Sequence, residues 1–233
     1  MVYIKPCVVF SSGVAATGKT TVLEELVKKI ENSVYLNRDD INEANLHILK
    51  SAGNISDFQN YVKLDEIFPD NVMDVITPFG EMYQINPLTN SIFYRRHIRD
   101  QSYLIQMFLA KTNLKLGKVT FIDCIVVRQI RDGTLVKLIN HQIFNNYPTY
   151  VIHFIAEEEE LRKRILDRSK NNDYSSRRLE VSMAQTKESF HKFITEEQPI
   201  LPTELNNYAH LVIDTSRYSI SECVEKCLKY ISS

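Results

Sequence analysis

The residues Gly13-Val14-Ala15-Ala16-Thr17-Gly18-Lys19-Thr20 fit the spacing G-x-x-x-x-G-K-[ST] at every position. The chemistry implied is the holding of phosphate. Glycines permit a tight loop whose backbone amides turn toward phosphate oxygens, and a helix opening at the loop's end adds its positive pole. Lys19 brings a point charge for the β- and γ-phosphates, and Thr20 a hydroxyl for Mg²⁺. By chance the pattern arises in about one chain in a hundred of this length. The context sharpens it. Val8-Val9-Phe10 upstream reads as a buried strand, while Val22, Leu26, Val27 and Ile30 recur at helical spacing downstream. The predicted nucleotide-binding set is Gly13, Val14, Ala15, Ala16, Thr17, Gly18, Lys19, Thr20 and the adjoining Thr21.

What such a loop is used for depends on the residues around it. A guanine-reading N-K-x-D sequence is absent, which argues against a GTPase switch. ATP-driven motors and transporters usually end a strand in Asp-Glu, the Glu polarising the attacking water. Here the candidate strand ends Phe121-Ile122-Asp123-Cys124, so the hydrolytic carboxylate is missing, while Asp123 suits the water shell of Mg²⁺. Leu36-Asn37-Arg38-Asp39-Asp40 falls at the carboxyl end of the second strand, where α/β sheets place ligands. Asp40 with Glu43 has capping-box spacing, which would leave Asp39 to face the crevice and accept the proton of an attacking hydroxyl. Arg164 and Arg168 are four apart and share a helix face; with the polar segment 169–177 they make a basic lid able to close over phosphates.

These groups need a scaffold. Short β-branched runs alternate with longer helical patterns, the signature of β-α-β units and a parallel sheet. Strands are expected over Lys5–Ser11, Val34–Asn37, Val119–Asp123, Thr149–Phe154 and Ala209–Asp214. Helices are expected over Lys19–Ile30, Ile41–Lys50, Ile98–Leu116, Glu157–Asp167, Arg178–Thr195 and Ser221–Ile231, the last capped by Ser219 with Glu222. Residues 51–96 break that rhythm. Pro69, Pro78, Pro87 and many aromatics mark an insertion, and Arg95 and Arg96 could meet an anionic group on an acceptor. The expected organisation is one domain over 1–233 with this insertion and a lid at about 164–178.

Composition excludes several classes. The chain's 28 basic and 29 acidic residues nearly cancel, so nothing drives it electrostatically toward nucleic acid or an anionic membrane. No apolar run is long enough for a membrane span, and a cytoplasmic protein is expected. Cys7, Cys124, Cys223 and Cys227 include no Cys-x-x-Cys pair and read as buried, reduced thiols.

The phosphate loop, Asn37-Arg38-Asp39-Asp40 and the paired-Arg lid together resemble the small P-loop kinases: polynucleotide 5′-kinases, chloramphenicol phosphotransferases and zeta toxins. The resemblance implies a three-layer P-loop kinase-like α/β fold with a central parallel five-stranded sheet in the order 2-3-1-4-5. It implies Asp39 as general base, Arg164 and Arg168 as lid residues over the γ-phosphate, and Asp214-Thr215-Ser216, with Thr215 foremost, beside adenine. ATP and Mg²⁺ would be the cofactors, with Thr20 and Asp123 toward the metal. Two departures fall on the acceptor side: Asn42 where the polynucleotide kinases carry a phosphate-binding Arg, and Asp123-Cys124-Ile125 where they read Asp-Thr-Asn. The expected reaction is therefore ATP-dependent phosphoryl transfer to a hydroxyl of a small-molecule acceptor. A polynucleotide or nucleotide kinase is the first alternative, and a non-catalytic nucleotide-binding regulator the second.

Overall fold

The computed structural model describes residues 1–42, 73–76, 82–85, 100–124, 130, 133–140, 144–170, 183–197 and 202–233. It divides into two units, Met1–Asn37 with Leu109–Ser233, and Arg38–Phe108.

In the first unit, β1 (Val8–Ser12) leads through the phosphate loop into α1 (Lys19–Val27) and β2 (Ser33–Asn37). Residues 38–42, in the second unit, are helical, and β3 (Met73–Ile76) pairs antiparallel with β4 (Met82–Ile85). The helix α2 (Asp100–Lys115) leads back to β5 (Val119–Asp123). There follow α3 (Thr134–Ile139), β6 (Thr149–Ile155), α4 (Glu158–Lys170), α5 (Lys187–Glu197), α6 (Pro202–Leu205), β7 (His210–Asp214) and α7 (Ile220–Ile231).

The fold is α/β, with a five-stranded sheet ordered β2-β5-β1-β6-β7 and every pairing parallel. Counting only these core strands, that is 2-3-1-4-5, as expected. Both faces are covered, which is why β1 and β5 are buried along their whole length and read as continuous rather than alternating apolar runs. One face carries Val9, Phe121, Ile152, Phe154 and Ile213, packed with Val22, Leu23 and Leu26 of α1 and with Cys223, Val224 and Cys227 of α7. The other includes Phe10, whose ring meets Phe144 edge-on at 6.1 Å. All four cysteines are buried and unbridged. Burial pushes the Cys7 and Cys227 thiols up to about 12.

Several boundaries differ from expectation for identifiable reasons. β1 begins at Val8 rather than Lys5, because Pro6 has no amide for a ladder. Asp40 is not a helix cap, since the helical residues already include Arg38. Of the helix expected over Arg178–Thr195, residues 178–182 lie outside the described residues; Met183 and Ala184 are helical, Gln185 and Thr186 interrupt it, and α5 begins at Lys187. Thr186 caps it, its hydroxyl taking the Ser189 amide at 3.1 Å. At α7 both halves of the Ser219–Glu222 capping box are present. Arg95, Arg96 and residues 171–178 of the expected lid lie outside the described residues.

Candidate functional site

The phosphate loop sits where the parallel strands end, held open by backbone conformations that its sequence permits. Gly13 has φ +132°, and a Cβ placed there would lie 2.3 Å from the carbonyl oxygen of Phe154 on β6. Only glycine lets the loop cross that strand so closely. Gly18 at φ 79° is the left-handed N-cap of α1. Ala16 is also left-handed, at φ 64°. Its side chain packs among Leu161, Ile165, Ala184 and Phe190, so burial helps hold a conformation that L-residues avoid.

Lys19 is buried and folds back on its own loop, donating to the carbonyls of Gly13 at 2.8 Å and Val14 at 2.7 Å. The Thr17 hydroxyl also donates to Val14, at 2.8 Å. Thr20 and Thr21 are exposed in the first turn of α1, while Val14, Ala15 and Gly18 are half-buried. The Thr20 hydroxyl donates to Asp123 Oδ2 at 2.9 Å.

Asp123 gathers more than Thr20. The Ser11 hydroxyl donates to its Oδ1 at 2.6 Å, and the Tyr35 phenol donates to its Oδ2 at 2.5 Å. Register explains the convergence. Tyr35 pairs with Phe121, so Asp123, two residues on, is its diagonal neighbour on the same sheet face. Ser11 follows the Phe10–Ile122 pair on the other side of β5. Burial, with the negative charge of Asp123 next in importance, raises the Tyr35 phenol well above its ordinary range and keeps it a donor. Neither Ser11 nor Tyr35 was visible as a site residue in the sequence. Their only signal is register, which requires knowing that β2 and β1 flank β5.

A carboxylate and a hydroxyl, both hard oxygens, suit Mg²⁺. Among the described residues there is no cluster of three or more His, Cys, Asp or Glu side chains that could cage a metal unaided.

Arg164, on α4, is the second hub. Its Nη1 donates to the carbonyl of Ala16 at 3.2 Å and to Thr215 Oγ1 at 2.9 Å; its Nη2 donates to the carbonyl of Thr215 at 3.0 Å. Nε donates to Glu160, one turn earlier, at 2.9 Å. Thr215 in turn donates from its hydroxyl to the carbonyl of Thr17 at 2.9 Å. The turn after β7 is therefore fastened to the phosphate loop. Arg168 lies one helical turn beyond Arg164 and is half-buried.

His153 on β6 is also buried, its Nδ1 3.2 Å from the Ser12 hydroxyl. Burial first, then the charges of Lys19 and His210, lower its pKa to about 4, so the ring is neutral at physiological pH.

The structure thus brings Lys19, Thr20, Asp123, Arg164 and Thr215 together in the first unit. Asp39 belongs to the second, where its exposed carboxylate lies 3.4 Å from Arg38 Nη2. Arg38 is itself fixed by Tyr103, donating to the phenol oxygen at 2.9 Å.

No protein-family model matches the chain, and no curated protein matches it. Solved structures do. A "putative kinase" from Chloroflexus aurantiacus is similar at 15% identity and TM-score 0.57, over 98% of this chain and 97% of that one. A sugar kinase from Janibacter sp. is similar at 13% identity and TM-score 0.51, over 97% of this chain and 94% of that one. At these identities the likeness establishes the α/β fold with its parallel sheet in the order 2-3-1-4-5. No helix among the described residues is long and apolar enough to cross a membrane.

Proposed function

We propose that the protein is an ATP- and Mg²⁺-dependent phosphotransferase that moves the γ-phosphoryl group to a hydroxyl of a small-molecule acceptor. The observation that carries this reading is the Thr20–Asp123 contact beneath a complete phosphate loop. It pairs the loop hydroxyl with a strand-end carboxylate, the arrangement used to hold nucleotide-bound Mg²⁺. Bound there, Mg²⁺ would neutralise charge on the phosphates.

In this reading Gly13 to Thr21 cradle the phosphates. Lys19 leaves the carbonyls of Gly13 and Val14, at least in part, to pair with phosphate oxygens. Arg164 and Thr215 hold the loop and its nucleotide edge, and Arg168 is the lid cation. Asp39 takes the proton of the acceptor hydroxyl. Transfer rather than hydrolysis is favoured because the residue after Asp123 is a buried cysteine, not a glutamate able to polarise water. The fold shared with a sugar kinase is in keeping with a small-molecule hydroxyl acceptor. We place the protein in the cytoplasm.

Release of ADP from ATP, measured against sugars, nucleosides, antibiotics and 5′-hydroxyl oligonucleotides, tests the proposal. Acceptor-dependent release with a small molecule supports it. Release only with oligonucleotides would make the protein a polynucleotide kinase, and nucleotide binding without release in any arm would make it a regulator.

A further inference from the structure

The Asp123 carboxylate is held from both sides within the sheet, and one of the holders is an aromatic residue that the phosphate loop does not itself require. Ser11, on the central strand, takes Oδ1. Tyr35, on the edge strand β2, takes Oδ2, the same oxygen that Thr20 uses. The ring of Tyr35 packs against the core formed with α1 and α7, so its hydroxyl is delivered from a rigid stem. An ionised carboxylate only accepts, so all three hydroxyls point their protons at it. With a donor on each side, its plane cannot swing without breaking a short, charge-assisted bond.

We propose that Tyr35 is a positioning residue for the divalent-metal site, clamping Asp123 in the orientation in which it meets Thr20 and the water shell of the metal. This rests on the reading of Thr20 and Asp123 as metal-site residues. Tyr35 acts through Asp123 and touches neither metal nor phosphate in this role. Partners that orient a metal-site carboxylate commonly govern metal affinity by ten- to a hundredfold when removed.

The test measures metal binding rather than turnover. Mn²⁺ or Mg²⁺ is titrated into the ADP complex of the full chain, by paramagnetic resonance for Mn²⁺ and by calorimetry for Mg²⁺. Tyr35→Phe keeps the ring and removes only the hydroxyl. It should weaken divalent-ion affinity about tenfold while metal-free ADP binding is unchanged. Because the effect passes through Asp123, the double variant Tyr35→Phe/Asp123→Asn should bind metal no more weakly than Asp123→Asn alone. Wild-type or tighter metal binding by Tyr35→Phe overturns the inference, as does a loss that adds to that of Asp123→Asn. If Asp123→Asn itself binds metal like wild type, the metal-site reading falls and this inference with it. A Tyr35 failure beside a weakened Asp123→Asn leaves that reading standing. Should Tyr35→Phe not fold, Ser11→Ala tests the same clamp from Oδ1, with weakened metal binding expected and unchanged binding overturning it.

Discussion

Arg164 and Thr215 are joined twice, guanidinium Nη1 to hydroxyl and Nη2 to carbonyl, although they lie on different elements 51 residues apart. The same Nη1 reaches the Ala16 carbonyl, so a single side chain braces the phosphate loop, α4 and the turn after β7. Arg164 is half-buried, and these partners would lose their donor on truncation.

Arg164→Ala should therefore act on structure and nucleotide together. The expected loss is about 1–3 kcal/mol of stability, as for removing a hydrogen-bonded, partly buried cation. Nucleotide affinity should fall with it. Arg164→Lys should not restore either, because an ammonium cannot reproduce the planar fork. Urea denaturation and ADP titration check this. An unchanged unfolding midpoint with reduced turnover would instead make Arg164 a lid residue acting on transferring charge.

Gly13 offers a sharper steric prediction. Gly13→Ala adds a Cβ 2.3 Å from the backbone carbonyl of Phe154, at a φ of +132°. The clashing atom is backbone, not the end of a flexible side chain, and a cost of about 2–4 kcal/mol is expected from overpacking and backbone strain combined. Gly117→Ala is the control. It shares the positive φ, at 77°, but meets nothing within 4 Å, so only about 1 kcal/mol should be lost. Equal melting temperatures for the two variants would contradict the close approach.

Asp39 carries the proposed acid–base step. Asp39→Asn should reduce turnover about a hundredfold or more with ATP affinity nearly unchanged, since the amide keeps shape but cannot take a proton. Lys19→Ala should do the reverse first, weakening triphosphate binding, with some loss of stability as the Gly13 and Val14 carbonyls lose their donor. Steady-state kinetics with the acceptor that supports ADP release, beside direct ATP titration, separates the two. A matching loss of ATP affinity in Asp39→Asn would move Asp39 from proton transfer to nucleotide binding.

What could be read from the sequence was whatever depends on neighbours along the chain. Lys19 and Thr20 are fixed by their spacing from two glycines, and the core strands by their β-branched runs. Tyr35 was opaque because its role depends on β2 lying beside β5 in a register that puts Phe121, not Asp123, opposite it. Thr215 could be placed only beside a nucleotide, since its bonds to Thr17 and Arg164 join segments far apart in sequence. The Asp40 cap failed for a local reason. Its spacing to Glu43 is right, but helical backbone already begins at Arg38, so the capping position had passed. At Thr186 the helical pattern was real, but a side-chain oxygen able to take the Ser189 amide made a new start more favourable than continuation.

The last prediction concerns pH and His153. Its ring is buried behind the phosphate loop, with Ser12 at Nδ1 and the positive charges of Lys19 and His210 opposing a proton. Its pKa in the folded protein is about 4, against an ordinary value of 6.5. Between those values the unfolded chain binds a proton that the folded one refuses, so stability falls as pH drops through that window and is fully present above it. At pH 4.5 the contribution is roughly 2–3 kcal/mol, taking about 1.4 kcal/mol per unit of difference. Carboxylates elsewhere also titrate there, so the comparison must be with a variant. His153→Asn keeps a polar atom near Ser12 and has no proton to gain. Its urea midpoint should fall less than that of wild type between pH 7.5 and 4.5, the two curves converging as the medium is acidified. Parallel curves would mean that His153 gains its proton in the folded state as readily as in the unfolded chain.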